Sequence, residues 1–232
     1  MASSRSTKVS KLKAFRHGED HDYTYVDTFD TINKQFDRIS ENKSREKKFK
    51  LGLVGSSQIE KYPLDLLEDQ NLVPIMLSSS PKNAKDIVNS GRLDEIIEST
   101  IKQHHDMDAV FIFVGGNDVK KHSEVREIAM NILEIAERFN DIGIEPIIMP
   151  LINRENPSGI LVPKYTKIRN SINRFIRKFY QKNNKKYNVI NLDNLDLKTD
   201  GVHLRRSSYR EISRAIKIKM NILTTSGCCC YC

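Results

Sequence analysis

From Phe49 onward the chain alternates short apolar runs with longer amphipathic stretches, and this alternation constrains the fold more than any other feature of the sequence. A brief apolar run bounded by turn residues suits a strand covered on both faces, whereas apolar residues three and four apart suit a helix that does the covering. Strands are predicted at 50–54, 72–77, 109–114, 144–149 and 188–192. Between them, Ile128, Ile132, Ile135, Ala136 and Phe139 share a helical face behind Ser123, a candidate N-cap, and Gly143 is placed to stop that helix. Residues 165–183 put Ile168, Ile172, Phe175, Ile176 and Phe179 on a second such face, and a last helix is predicted at 207–222. Strands that each return through a helix run parallel, so the expected fold is α/β, a three-layer α/β/α sandwich around a five-stranded, mostly parallel sheet. Sites in such sheets lie beyond the carboxyl ends of the strands, which is where chemistry is to be sought.

The rest of the composition narrows the function classes. The chain has 232 residues, room for one ordinary domain with appendages, and with 38% hydrophobic and 29% charged residues it is globular in kind. No stretch approaches the roughly eighteen apolar residues of a membrane span, and no apolar core follows the first residues as in a secretory signal, so a cytoplasmic location is expected. All four cysteines fall in the last five residues, at Cys228, Cys229, Cys230 and Cys232. Residues 1–227 therefore hold no thiol for a disulfide framework or a metal cage. Three regions are expected: a polar arm at 1–47, a domain at 48–222 and a cysteine-rich tail at 223–232. Within the arm, Val26, Phe29, Ile32, Phe36 and Ile39 form one helical stripe, either packed on the domain or open to a partner.

Three predicted strand ends carry chemistry. After the first comes Gly55-Ser56-Ser57, a small-residue turn that lets a hydroxyl stand clear of the sheet. After the third comes Gly115-Gly116-Asn117-Asp118, where the glycines allow tight backbone and Asn117 offers an amide donor. After the fifth comes Asp200-Gly201-Val202-His203, a carboxylate and an imidazole close enough to meet on one turn. Singly these are commonplace turns. In this order they supply a nucleophile, a base, an orienting acid and an anion stabiliser.

With those residues in place, the segment from about 48 to 222 resembles the SGNH, or GDSL-type, hydrolase superfamily: LGLVGSSQI is similar to its first block, FIFVGGNDV to its third and DGVHL to its fifth. The resemblance implies the SGNH hydrolase fold and hydrolysis of carboxylic esters, with a small-molecule or lipid ester as substrate and neither metal nor organic cofactor. It implies Ser57 as nucleophile, Asp200 and His203 as acid and base, and Asn117 as an oxyanion donor beside the Ser57 backbone N–H. Two positions depart from the pattern. Ser56 stands where the family has aspartate, which makes it a rival nucleophile. The second block's oxyanion glycine has only Gly91 as a counterpart between the first and third blocks, and Pro81 in that place would have no N–H to give. The superfamily also includes catalytically dead RNA-binding relatives, so a degenerate module holding RNA or another anionic partner is the second class of function.

The remaining features have bland and sharp readings. Asp118 is expected to cap the following segment rather than to catalyse, and His104, His105 and Asp106 are expected to face solvent. His17 and His21 have no further ligands at metal spacing, so no metal site is expected. Arg154, just past the fourth strand, contacts substrate or is a solvated loop charge. Between Lys164 and Lys186 there are nine Lys or Arg and no Asp or Glu, either a solvated face or a surface for nucleic acid or anionic lipid. The final Cys-Tyr-Cys resembles doubly prenylated C-termini, with Cys228 and Cys229 open to palmitate, and two lipid chains would tether the protein to an anionic membrane.

Overall fold

The computed structural model describes residues 48–77, 83–182, 189–192 and 195–226, with side chains described as far as Met220. The predicted arm helix, the 78–82 loop with Pro81 and the cysteine tail lie outside these residues. The sheet is built from β1 (Phe49–Gly55), β2 (Leu72–Met76), β3 (Ala109–Phe113) and β4 (Glu145–Ile148). All pairings are parallel, in the order β2-β1-β3-β4. The helices are α1 (Ser57–Glu60), α2 (Ala84–Asn89), α3 (Arg92–Gln103), α4 (Val125–Asp141), α5 (Val162–Lys182) and α6 (Arg206–Ser226).

Alternation along the strands divides the core into two layers. In β1 and β3, Leu51, Leu53, Ala109, Phe111 and Phe113 point to one face, where α1 and α6 cover them through Ile59, Tyr209, Ile212 and Ile216. Val54, Val110 and Ile112 point to the other face, covered by α2, α3, α4 and α5 through Ile87, Ile97, Ile132, Ala136 and Ile172. The three-layer expectation is met, and the apolar stripes predicted for α4 and α5 are the faces buried here.

One expectation is met in part and one needs correction. The fifth predicted strand, 188–192, is not a full strand among the described residues: Val189 forms one parallel bridge to Ile148, and the Ile190 N–H donates to the Ile148 carbonyl at 2.9 Å. Its place beyond β4 is as expected; residues 183–188 lie outside the described residues, and Asn191, which follows the bridge, is exposed with its side chain accepting from Arg177. Ser123 does not cap α4, whose N-cap is Glu124. The Ser123 hydroxyl donates to the Asp118 carbonyl at 2.7 Å and accepts from the Lys120 N–H, closing the preceding turn instead. Among the described residues, no helix is long and apolar enough to cross a membrane.

Candidate active site

β1 ends in a sharp reversal that only its sequence permits. A Cβ at Gly55 would fall 2.1 Å from the Ile59 side chain and 2.8 Å from the Phe113 carbonyl, so glycine there lets α1 fold straight back on the strand. Ser57 is thereby the first residue of α1, where a backbone N–H has no acceptor within the helix. Ser56 is buried at 5% exposure and its N–H continues the sheet to Phe113, whereas Ser57 is half-buried and its hydroxyl faces the base.

That base comes from a loop 146 residues further on, closed by an antiparallel bridge between Leu197 and Leu204. At its tip one Asp200 oxygen accepts the N–H groups of Val202 and His203, at 2.9 and 2.8 Å, which shapes the turn. The other Asp200 oxygen faces the His203 Nδ1 at 2.7 Å, and the His203 Nε2 lies 3.2 Å from the Ser57 Oγ. The His203 N–H, its imidazole and the Val202 N–H together hold the Asp200 carboxyl far below the usual carboxylate range. An ionised partner on Nδ1 selects the tautomer with its proton there, leaving Nε2 as acceptor. Lys61, one helical turn beyond Ser57, requires the same assignment, because its ammonium lies 3.3 Å from Nε2 and can only donate.

Gln58 joins the two halves. Its amide donates to the Val202 carbonyl at 2.8 Å, and its side-chain oxygen accepts the Leu204 N–H and the Tyr209 hydroxyl, at 3.3 and 2.9 Å. His203 is thus gripped on both sides by the residue that follows Ser57. Burial raises the Tyr209 phenol's pKa, which keeps it a neutral donor. No sequence motif marks Gln58 or Lys61 as part of the site. The available signals were a polar residue on the inward side of α1 and the four-residue spacing from Ser57 to Lys61.

Asn117 follows β3, beside β1 in the pairing of Gly55 with Phe113. Its side-chain oxygen accepts from the Arg154 guanidinium at 2.8 Å. Asp118 caps not the segment that follows it but α2, earlier in the chain: its carboxylate accepts the Ala84 and Lys85 N–H groups at 2.8 and 3.1 Å, and burial raises its pKa despite them. Gly91 is not brought to the site. It lies one helix length past Ala84, at the exposed joint of α2 and α3 with φ +74°, and no described atom comes within 4 Å of a Cβ built there. The only glycine in the segment is spent on a left-handed turn. At the opposite end of the sheet, His105 is exposed as expected, His104 is half-buried, and Asp106 pairs with Lys50 at 2.6 Å with its side chain still 39% exposed. Arg154 is no solvated charge, being 9% exposed.

No family model matches the chain, and no curated protein matches it. Solved structures do. A GDSL-like lipase from Bacteroides thetaiotaomicron superposes with a TM-score of 0.58 at 16% identity, covering 80% of this chain and 96% of that one. Est24, a carbohydrate acetylesterase from Sinorhizobium meliloti, gives 0.56 at 17% identity over 76% and 100% of the two chains. The psychrotrophic esterase EstA from Pseudoalteromonas sp. gives 0.54 at 17% identity over 76% and 98%. Parallel sheet, helical layers and overall course are shared across these proteins, and the chain therefore has the fold of the GDSL-type, or SGNH, lipases and acylhydrolases.

Proposed function

We propose that the protein is a serine hydrolase that cleaves carboxylic esters through Ser57, His203 and Asp200. One observation carries this reading: a single imidazole has a carboxylate oxygen 2.7 Å from Nδ1 and the Ser57 hydroxyl 3.2 Å from Nε2. The esterase, lipase and acetylesterase of the same fold support ester hydrolysis as the reaction class. His203 Nε2 takes the Ser57 proton as the oxygen attacks the ester carbonyl, and Asp200 steadies the imidazolium that forms. The tetrahedral oxyanion is met by the Ser57 N–H and the Asn117 amide. His203 returns the proton to the departing alcohol, leaving an acyl-enzyme that water hydrolyses by the same steps in reverse. Losing one oxyanion donor typically costs about 3 kcal/mol of barrier, on the order of a hundredfold in rate, so a site without the Gly91 donor is slowed rather than silenced.

A fluorophosphonate probe tests the serine without knowledge of the acyl group. Wild type and Ser56→Ala are expected to label and to hydrolyse a short-chain aryl ester, while Ser57→Ala does neither. Equal turnover by wild type and Ser57→Ala would remove the assignment.

A second reading, a degenerate hydrolase module holding RNA, is favoured by a cleft of about 490 Å³ beside α5 lined by Arg169, Arg174, Arg177 and Lys178. Unlabelled wild-type protein that still retains RNA at about 0.3 M salt would select it. The tail at Cys228, Cys229, Cys230 and Cys232 is read as a lipid attachment site. If the source is eukaryotic, intact mass of protein from native cells is expected to exceed the polypeptide mass by two lipid chains, and an unmodified terminus ends the idea.

A further inference from the structure

Arg154 is the buried charge that the reaction steps above leave unused. It sits in the loop after β4, 9% exposed, and no ion pair of it occurs among the described residues. Its guanidinium donates to the Asn117 side-chain oxygen at 2.8 Å, and its carbon lies 5.9 Å from the centre of the buried Tyr165 ring. Its Nε is buried with no hydrogen-bond partner. Gly116 leaves the space: a Cβ there would be 2.7 Å from the same guanidinium nitrogen. A cation taken from water, left without a carboxylate and with one N–H unsatisfied, costs stability, and such placements concentrate at functional sites.

We propose that Arg154 is a positioning residue that sets the orientation and donor strength of the Asn117 carboxamide, an inference that rests on the serine-hydrolase reading. A guanidinium only donates, so the Asn117 atom facing it has to be the oxygen, and the N–H end is turned away from Arg154. The opposite orientation of the carboxamide would set its N–H end against the guanidinium and turn an acceptor toward the developing oxyanion. Charge donation to the oxygen also polarises the amide and strengthens its N–H as a donor. The same loop bonds to the base: the Glu155 and Asn156 N–H groups donate to the Gly201 carbonyl at 2.8 and 3.3 Å. Residues 154–156 therefore tie the Asn117 turn to the turn that carries Asp200 and His203.

The test is a double-mutant cycle on the full chain, with wild type and Ser57→Ala in the same aryl-ester assay. Asn117→Ala is expected to lower kcat on the order of a hundredfold, and Arg154→Met at least about tenfold with KM little changed. Arg154→Lys, which keeps a donor, falls between Arg154→Met and wild type. Arg154→Met in the Asn117→Ala background is expected to lower kcat by no more than about twofold further, because its effect passes through the missing amide. Losses that multiply would overturn the proposal and leave Arg154 a packing residue. The proton–nitrogen correlation of the Asn117 side-chain amide, identified by its disappearance in Asn117→Asp, reads orientation without turnover. It is expected to move in Arg154→Met and to stay near its wild-type position in Arg154→Lys; an unmoved signal in Arg154→Met also overturns the proposal. Equal turnover by wild type and Ser57→Ala would strike the serine-hydrolase reading alone, and the amide signal would still decide Arg154.

Discussion

Asp200 divides its carboxylate between two tasks, with one oxygen shaping the turn through backbone N–H groups and the other holding the imidazole. Both tasks need the ionised form, which is why its pKa is lowered. A group depressed in the folded state contributes stability that is present above its unfolded pKa, about 3.9 for aspartate, and is lost as pH falls through the folded value. The difference in Tm between wild type and Asp200→Asn is therefore expected to shrink as pH falls below about pH 4. Thermal melts of the two proteins between about pH 5 and 3 check it; a difference that grows over that interval would contradict the assignment. Much of this was legible in DGVHL, because three residues are enough for a carboxylate to reach its own chain's imidazole. That Ser57 rather than Ser56 meets the imidazole followed from the resemblance and not from local pattern, since the direction of each hydroxyl depends on how tightly α1 folds back over Gly55.

Between elements, the Gln58 side chain bonds α1 to both the His203 loop and α6. Replacing Gln58 with leucine keeps the volume roughly constant but strands the Val202 carbonyl, the Leu204 N–H and one partner of the Tyr209 hydroxyl. A buried polar group left unpaired costs about 1–3 kcal/mol. Gln58→Leu should therefore lower the urea midpoint clearly more than Tyr209→Phe does, and slow fluorophosphonate labelling although Ser57 is intact. Equal labelling by Gln58→Leu and wild type would show that the loop holds its place without the clamp. The boundaries of α4 and α5 were close to expectation because long apolar stripes specify helices well. Ser123 misled because a serine before a helix can equally serve the preceding turn, and local sequence does not say which N–H it will meet. Asp118 misled similarly by capping a helix 34 residues earlier in the chain.

At the scale of the molecule, one sheet backs two apolar layers, so neither layer can melt without exposing the strands to water on that side. Phe111 lies at the centre of this arrangement, fully buried in β3, with its ring 6.3 Å from that of Tyr62 and 6.1 Å from that of Phe113. Phe111→Ala is expected to cost about 3–5 kcal/mol and to keep the loss of secondary and tertiary circular dichroism signals coincident. Separated transitions would show that the layers unfold independently. By itself the sequence determined the class of fold, the parallel order of burial and the three chemistry-bearing strand ends, because apolar periodicity and turn residues act over a few neighbouring positions. Only the tertiary structure decided which hydroxyl faces His203, that Gly91 serves a helix joint, that Gln58 and Lys61 belong to the site, and that Arg154 turns inward onto Asn117. Those outcomes depend on distances between residues far apart in the chain, set by how the helices pack on the sheet, and no local pattern encodes them.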